Sequence, residues 1–230
     1  MALIETLSRI PLFSHLQEGT HQQLIEAGFS RTYRMGEYLA HHGDVWPYLF
    51  LVLKGEITAV KSSLEGRSLI LETIRKGEVF WGLAFFLNEA PMPAALKASE
   101  SSEIFLWSRE QIAPFLIRDG QISWELSRLA LQRALRASEI VDELAFQPVT
   151  GRLANFLVSR FEEVKGERVA RDITLDEMAA HIGSTREMVC RILQRFSNQG
   201  FIDITRTEFV FTDREGLNQL ARRSNERNNL

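Results

Sequence analysis

The hydrophobic period of this chain changes once, near residue 120, and that change divides it into two kinds of structure. Upstream, glycines at 36, 43, 55, 66, 77 and 82 punctuate short apolar runs at 48–53, 56–60, 68–71 and 103–107. Short strands between regular turn signals predict a sandwich, barrel or jelly roll. The run Tyr48-Leu49-Phe50-Leu51-Val52-Leu53 is apolar throughout rather than alternating, as expected of a strand buried on both faces. Before it, residues 1–30 read as short helices: Ile4, Leu7 and Ile10, then an interruption at Pro11, then a helix from Leu16 through Phe29.

After Gly120 no glycine or proline appears until Pro148, and the period is helical. One seam reads Ser123, Ser127, Ala130, Ala134, Ala137, Val141, Leu144, in alternating steps of four and three. That is coiled-coil spacing, and its small residues would let two helices approach closely. A second stripe, Ile122, Leu126, Leu129 and Ile140, would face the β-domain. Apolar positions on two faces favour a dimer helix over an ordinary core helix, with Ala130, Ala134, Ala137, Val141 and Leu144 as its interface. Pro148 marks a new start, and 149–165 form another amphipathic helix carrying Leu153, Phe156, Leu157 and Phe161. The division expected is therefore 1–119, 120–146 and 147–230, with a hinge at 146–148. The polar tail 222–230 is expected to fray.

Composition narrows the chemistry. The 230 residues carry a net charge of −3, so nucleic acid could be bound only through a local patch. Residues 147–230 carry 13 basic against 12 acidic side chains, which leaves that half slightly positive. No stretch approaches the ~18 apolar residues of a membrane span. The start has neither a basic region nor a small-residue cleavage site, and is not read as a secretory signal. One cysteine, Cys190, cannot form an internal disulfide or hold an iron–sulfur cluster. The five histidines form no ligand pattern, so no metal is expected, and the cytoplasm is the expected compartment. No nucleophile–base motif, P-loop or dinucleotide fingerprint points to an enzyme.

The informative segment is 174–196. Thr174 with Glu177, and Ser184 with Glu187, each fit a capping box, and Gly183 between them can take the positive φ that ends a helix in a tight turn. Two short helices around such a turn make a helix-turn-helix. On the second helix Val189, Ile192, Leu193 and Phe196 form an apolar side, while Arg186, Glu187, Cys190, Arg191 and Gln194 crowd the other. Arginine can donate two hydrogen bonds to guanine O6 and N7, and glutamate can accept from cytosine N4. Ser184 and Thr185, at the helix N-terminus, are candidate phosphate contacts. Residues 200–211 read as a hairpin with Arg206 at its tip, either a phosphate contact or part of a solvated turn.

The stretch Asp-Glu-Met-Ala-Ala-His-Ile-Gly-Ser-Thr-Arg-Glu-Met-Val-Cys-Arg-Ile-Leu (176–193) resembles the helix-turn-helix signature of the CRP/FNR family of bacterial transcription regulators. Leu-Ala-Phe-Gln-Pro-Val-Thr-Gly-Arg-Leu-Ala (144–154) resembles that family's hinge, and Lys54-Gly55-Glu56 and Glu65-Gly66-Arg67 resemble turns of its β-roll. The resemblance implies an α+β fold: an N-terminal double-stranded β-helix jelly roll like a cyclic-nucleotide-binding domain, a long dimerisation helix and a C-terminal winged helix-turn-helix. It implies a homodimer on palindromic double-stranded DNA with half-sites one turn apart, and RNA polymerase as a protein partner. The family's base-reading positions fall on Arg186, Glu187 and Arg191, with Cys190 where glycine or serine is usual.

The same resemblance implies that cyclic AMP is not held in the usual way. The Gly-Glu position that holds the ribose is Trp81-Gly82 here, and the Arg-Ser pair for the cyclic phosphate falls on Met92-Pro93 or Pro93-Ala94. A buried phosphate needs a cation and donors, which methionine, proline and alanine lack. The remaining effector pocket would be apolar, lined by Leu71, Trp81, Gly82, Phe85, Phe86 and Met92, unless these side chains fill the barrel. Such a pocket would also suit haem, with Met92, the chain start or a remote histidine as axial ligand. Cys190, between Arg186 and Arg191, is either a redox-sensitive thiol or a small residue that lets DNA come close. The rival functions are a haem- or redox-responsive regulator and a nucleotide-sensing signalling module that binds no DNA.

Overall fold

The computed structural model describes residues 2–162 and 168–226, with side chains over 3–162 and 168–221. The chain forms two compact units, one of residues 1–61 with 71–136 and one of 62–70 with 137–230.

The first unit opens with α1 (Ala2–Arg9) and α2 (Glu18–Glu26). Strands follow: β1 (Phe29–Tyr33), β2 (Tyr38–Ala40), β3 (Tyr48–Lys54), β4 (Glu56–Ser62), β5 (Ser68–Arg75), β6 (Val79–Trp81), β7 (Ala95–Ala98) and β8 (Ser102–Ser108). A 3₁₀ turn lies at Leu83–Phe85, then α3 (Arg109–Arg118) and α4 (Gly120–Phe146), whose residues from 137 on belong to the second unit. The strands make two four-stranded sheets, ordered β1-β8-β3-β6 and β2-β7-β4-β5. The pairs β1–β8, β3–β8, β3–β6, β2–β7 and β4–β7 are antiparallel, as a jelly roll requires.

The uninterrupted apolar run explains the layering. Side chains alternate along a strand, so β3 serves two cores at once. Leu49 and Leu51 pack with Leu7, Phe13, Leu24, Trp107 and Ile122 of the helical side. Phe50 and Val52 face the other way, into a core with Trp46, Ile57, Ile74 and Leu96 between the sheets. All four β3 residues are fully buried. The β3–β4 turn depends on Gly55: its φ is +78°, and a Cβ there would meet Ser102 Oγ and the Ser101 carbonyl. From α4, Ile122 and Leu126 of the second stripe join the helical-side core, while Leu129 and Ile140 are half-buried and outside it.

The expected helix over 16–29 ends early. α2 stops at Glu26, and Phe29 already belongs to β1, paired with Leu106. Between them a Cβ on Gly28 would strike the Phe105 ring, so only glycine lets the chain turn so close to β8.

The second unit contains α5 (Val149–Arg160), β9 (Arg168–Ala170), α6 (Leu175–His181), α7 (Arg186–Asn198), β10 (Ile202–Ile204), β11 (Glu208–Phe211) and α8 (Arg214–Glu226). Leu153, Leu157, Met178, Val189, Phe196, Phe209 and Leu217 build one continuous core. Each such fully buried side chain contributes about 1.5–3 kcal/mol relative to exposure. The hairpin expected over 200–211 is present, but as part of a three-stranded sheet ordered β10-β11-β9. The three-residue strand β9 was too short to carry a period. The tail does not fray from 222: α8 runs to Glu226, and 227–230 lie outside the described residues.

Candidate nucleic-acid interface

The two helices around Gly183 are set by local chemistry. At the start of α6, Thr174 Oγ1 accepts from the Glu177 amide at 3.2 Å, while the Glu177 carboxylate accepts from the Thr174 amide at 2.7 Å. This is the predicted capping box. At its end the Ser184 amide donates to the Ala179 carbonyl at 2.9 Å, across Gly183 at φ +60°. That six-to-one bond closes the helix and sends the chain into α7.

The second capping box is not formed. The residue capping α7 is Thr185, whose Oγ1 accepts from the Met188 amide at 3.2 Å. Ser184 is occupied one step earlier, in the turn. Glu187 therefore sits in the first turn without reaching back to Ser184. Its carboxyl is held below the usual carboxylate range by its own backbone N–H, by the Thr185 hydroxyl and by Arg186. An ionised Glu187 is an acceptor, the form needed to meet a cytosine amino group.

The faces of α7 divide as read. Val189, Ile192, Leu193 and Phe196 are at most 3% exposed. Thr185, Arg186, Glu187, Cys190, Arg191, Gln194 and Arg195 are exposed, and Ser184 is half-buried. Arg186 is not idle: its Nη1 reaches Asp176 Oδ2 on α6 at 3.1 Å, between two exposed side chains. Such a pair is worth about 0–1 kcal/mol, so a phosphate or guanine can take it over. Among the described residues Arg191 and Arg195 form no ion pair. Arg206 is exposed at the β10–β11 turn, which Thr205 Oγ1 ties down by accepting from the Glu208 amide at 2.9 Å.

Sequence reasoning missed Arg152. It is 8% exposed on α5. Its Nε donates to the Ile182 carbonyl at 2.8 Å, at the end of α6. Its Nη1 donates to Gln147 and Glu143 carbonyls at 2.6 and 3.3 Å, at the end of α4. One guanidinium thus satisfies helix-end carbonyls that would otherwise be orphaned. The signal available was a lone cation among apolar and small neighbours, 149–154.

On α4, Ala130, Ala134, Ala137 and Val141 are exposed, while Leu144 lies against Gly183, 2.6 Å from where a Cβ would stand. The uncovered apolar face is wider than the seam: Trp124, Leu131 and Leu135 are 71%, 67% and 66% exposed.

The six effector-pocket residues fall into two groups: Trp81, Phe85 and Phe86 on one side, Gly82, Met92 and Leu71 on the other. Phe85 packs in the helical-side core with Trp81 against it, whereas Met92 packs between the sheets with Leu71 against that core. Gly82 is buried, and a Cβ on it would strike the Trp46 carbonyl and come within 3.2 Å of Met92 Sδ. Phe86 is half exposed and meets Trp81 edge-on. The physical reason is the connection after β6: Phe85 and Phe86 lie at the 3₁₀ turn, where successive side chains point about 120° apart, and Met92 lies in the loop before β7. These residues do not fit a haem: Met92 is 4% exposed and held within packed side chains. Of the histidines, His21 binds the Phe13 carbonyl, His15 binds Asp119, and His41 and His181 stack on Tyr38 and Phe156.

A jelly roll joined through a long helix to a winged helix-turn-helix is the architecture of a DNA-binding transcription regulator with a sensor domain. Comparison with known proteins agrees. Residues 30–119 match the family profile of the cyclic nucleotide-binding domain, and residues 151–220 that of the Crp-like helix-turn-helix domain. The chain belongs to the CRP/FNR family of bacterial transcription regulators. It is 26% identical over 216 residues to the cAMP-activated global transcriptional regulator Vfr of Pseudomonas aeruginosa, covering 90% of this chain and 99% of that one. It is 25% identical over 225 residues to the CRP-like cAMP-activated global transcriptional regulator of Mycobacterium tuberculosis, covering 95% and 99%. In fold it is similar to the c-di-GMP responsive global regulator CLP of Xanthomonas campestris, with TM-score 0.75, 20% identity and coverage of 86% and 100%. Among the described residues no helix is long and apolar enough to cross a membrane, and no cluster could hold a metal ion.

Proposed function

We propose that this regulator acts in the cytoplasm as a homodimer on a palindromic operator, with RNA polymerase as its protein partner, and without cyclic AMP in the position the cAMP-activated relatives would suggest. Its working parts are the sensor roll 1–119, the dimerisation helix 120–146 and the DNA-binding domain 147–230. The observation that carries the reading is α7: a fully packed apolar side beneath an exposed row of Arg186, Glu187, Cys190 and Arg191. Arg186 and Arg191 read guanine, Glu187 accepts from cytosine, and Ser184, Thr185 and Arg206 contact phosphates. Small Cys190 lets the helix approach the base edges.

Two observations speak against a cyclic nucleotide in the family's usual place. Met92 and Pro93 offer no donor for a phosphate. The face of Trp81 is already covered by the Arg133 guanidinium, 4.2 Å from the ring centroid. The test is selection of bound duplexes from a random pool by the purified protein without added ligand. Enrichment of a palindrome whose half-sites are one turn apart is expected, unchanged by cyclic AMP. No enrichment, or enrichment only with cyclic AMP, overturns the proposal.

A further inference from the structure

Arg186 is the first residue of α7, and its guanidinium reaches back across the turn to α6. Its Nη1 donates to Asp176 Oδ2 at 3.1 Å. The rest of α6 does not depend on that carboxylate. Asp176 lies in the first turn, but the cap there is made by Thr174 and Glu177. The Asp176 side chain is 68% exposed and makes no further hydrogen bond among the described residues.

A guanidinium is planar, with its N–H groups in fixed directions. With Nη1 turned to Asp176, Nε and Nη2 form no hydrogen bond among the described residues. Their parallel N–H bonds are a fork that can meet guanine O6 and N7 without breaking the pair. The pair is weak in water, but it strengthens as a duplex closes over the helix and water leaves.

Charge decides which acceptor the fork takes. A phosphate that approaches Arg186 also approaches the Asp176 carboxylate. It meets Glu187 as well, whose carboxyl Arg186 helps to hold below the usual carboxylate range. Two negative charges around one positive charge oppose an anion. A guanine edge is neutral and meets no such opposition. Arg191 and Arg195, by contrast, form no ion pair among the described residues. In a helix-turn-helix the first helix crosses the nucleic-acid backbone, where a cation would serve affinity better than an acid. An acid at that place lowers affinity for DNA in general, and what offsets the loss is discrimination.

We infer that Asp176 is a positioning residue for base reading: it holds the Arg186 fork towards a guanine edge and keeps it from the phosphates. The inference rests on α7 as the base-reading helix and adds to that reading a residue on α6 that sets its specificity.

The test uses the full-length protein and the duplex enriched by selection, with each base pair of a half-site replaced in turn and a scrambled duplex as the unrelated sequence. Arg186→Met should flatten the preference at one position of the half-site. Asp176→Ala should lower the preference at that same position by about threefold or more. It should also tighten binding to the scrambled duplex about twofold or more, with a salt dependence steeper by about one unit of slope, as Arg186 turns to a phosphate. In the double variant the preference at that position should be no lower than in Arg186→Met alone, because Asp176 acts through Arg186. A preference that Asp176→Ala leaves intact, a failure to tighten binding to the scrambled duplex, or a further loss in the double variant overturns the inference. A purely structural role would weaken both duplexes alike and leave the base preference unmoved. If the wild type prefers no sequence, or Arg186→Met alters no base pair, the reading of α7 falls and this inference with it. If Arg186→Met acts and Asp176→Ala does not, this inference alone falls.

Discussion

α4 and α7 are both amphipathic helices with one packed side, but they leave opposite chemistries in water. α4 packs Ile122 and Leu126 and leaves Trp124, Leu131, Leu135 and Val141 between 62% and 71% exposed. α7 packs Val189, Ile192, Leu193 and Phe196 and leaves arginines, a glutamate and a small cysteine exposed. Exposed apolar area costs about 25 cal/mol per Å², so a contiguous apolar face calls for a protein surface to cover it. Exposed cations carry no such cost, and they suit a polyanion whose counterions they displace. The seam of one helix and the reading face of the other are therefore different devices, and they should fail in different ways.

The largest effect is expected beneath the reading face. Phe196→Ala removes a fully buried ring from the only core of the second unit's described residues and should cost about 3–5 kcal/mol, read as a shift of the urea midpoint. A loss below about 1 kcal/mol would mean that α7 is not anchored through this side. Next comes the seam. In an isologous dimer a substituted residue faces its own copy or a near neighbour, so Leu131→Glu with Val141→Glu sets like charges together. That juxtaposition costs several kcal/mol, which corresponds to about a hundredfold or more in dimer dissociation. Sedimentation should show a folded monomer that has lost operator affinity. An intact dimer would place the interface elsewhere and break the contrast between the helices.

How legible each device was depends on how local its causes are. α7 could be read because its cap, its glycine and both its faces lie within about twenty residues of continuous chain. Even there the cap fell one residue out, because Ser184 and Thr185 both offer a hydroxyl and only the turn geometry decides between them. The burial of β3 on both faces was legible because no polar residue interrupts it. The placing of Phe85, Phe86 and Met92 was not, because they lie in the irregular connection between β6 and β7, which has no period to show which core each side chain enters. Arg152 was illegible for another reason: its acceptors come from the ends of two different helices, α4 and α6. The pairing of Arg186 with Asp176 needed the folded angle between α6 and α7.

A smaller effect is expected at an exposed arginine of the reading face. Arg191→Met should leave the urea midpoint unchanged, because the side chain is exposed and forms no ion pair among the described residues. It should cost about 1–3 kcal/mol of operator affinity and relax the preference at a single base pair. Uniform weakening across all sequences would instead make Arg191 a phosphate contact, with the salt dependence reduced by about one unit of slope.

The smallest effect compares the first turns of the two helices, since each has a carboxylate held below its ordinary range. For Asp119, just before α4, burial pushes the pKa up but is outweighed by the amides of Ile122 and Gln121 at 3.1 and 2.9 Å and by His15. A carboxylate with a depressed folded pKa contributes stability that is fully present above its unfolded value. That contribution is lost as pH falls through the lower folded value. For Asp119 the window lies below the ordinary 3.8. Asp119→Asn should therefore lower the urea midpoint near neutral pH, by under about 1 kcal/mol for a charge at a helix start, and the gap to the wild type should close as pH drops through that window. Glu187 is fully exposed, and Glu187→Gln should leave the midpoint where it was while changing the base preferred at one position of the operator. If instead Glu187→Gln destabilised the fold as Asp119→Asn does, the carboxylate on α7 would be a cap and not a reader, and the division of labour between the helices would not hold.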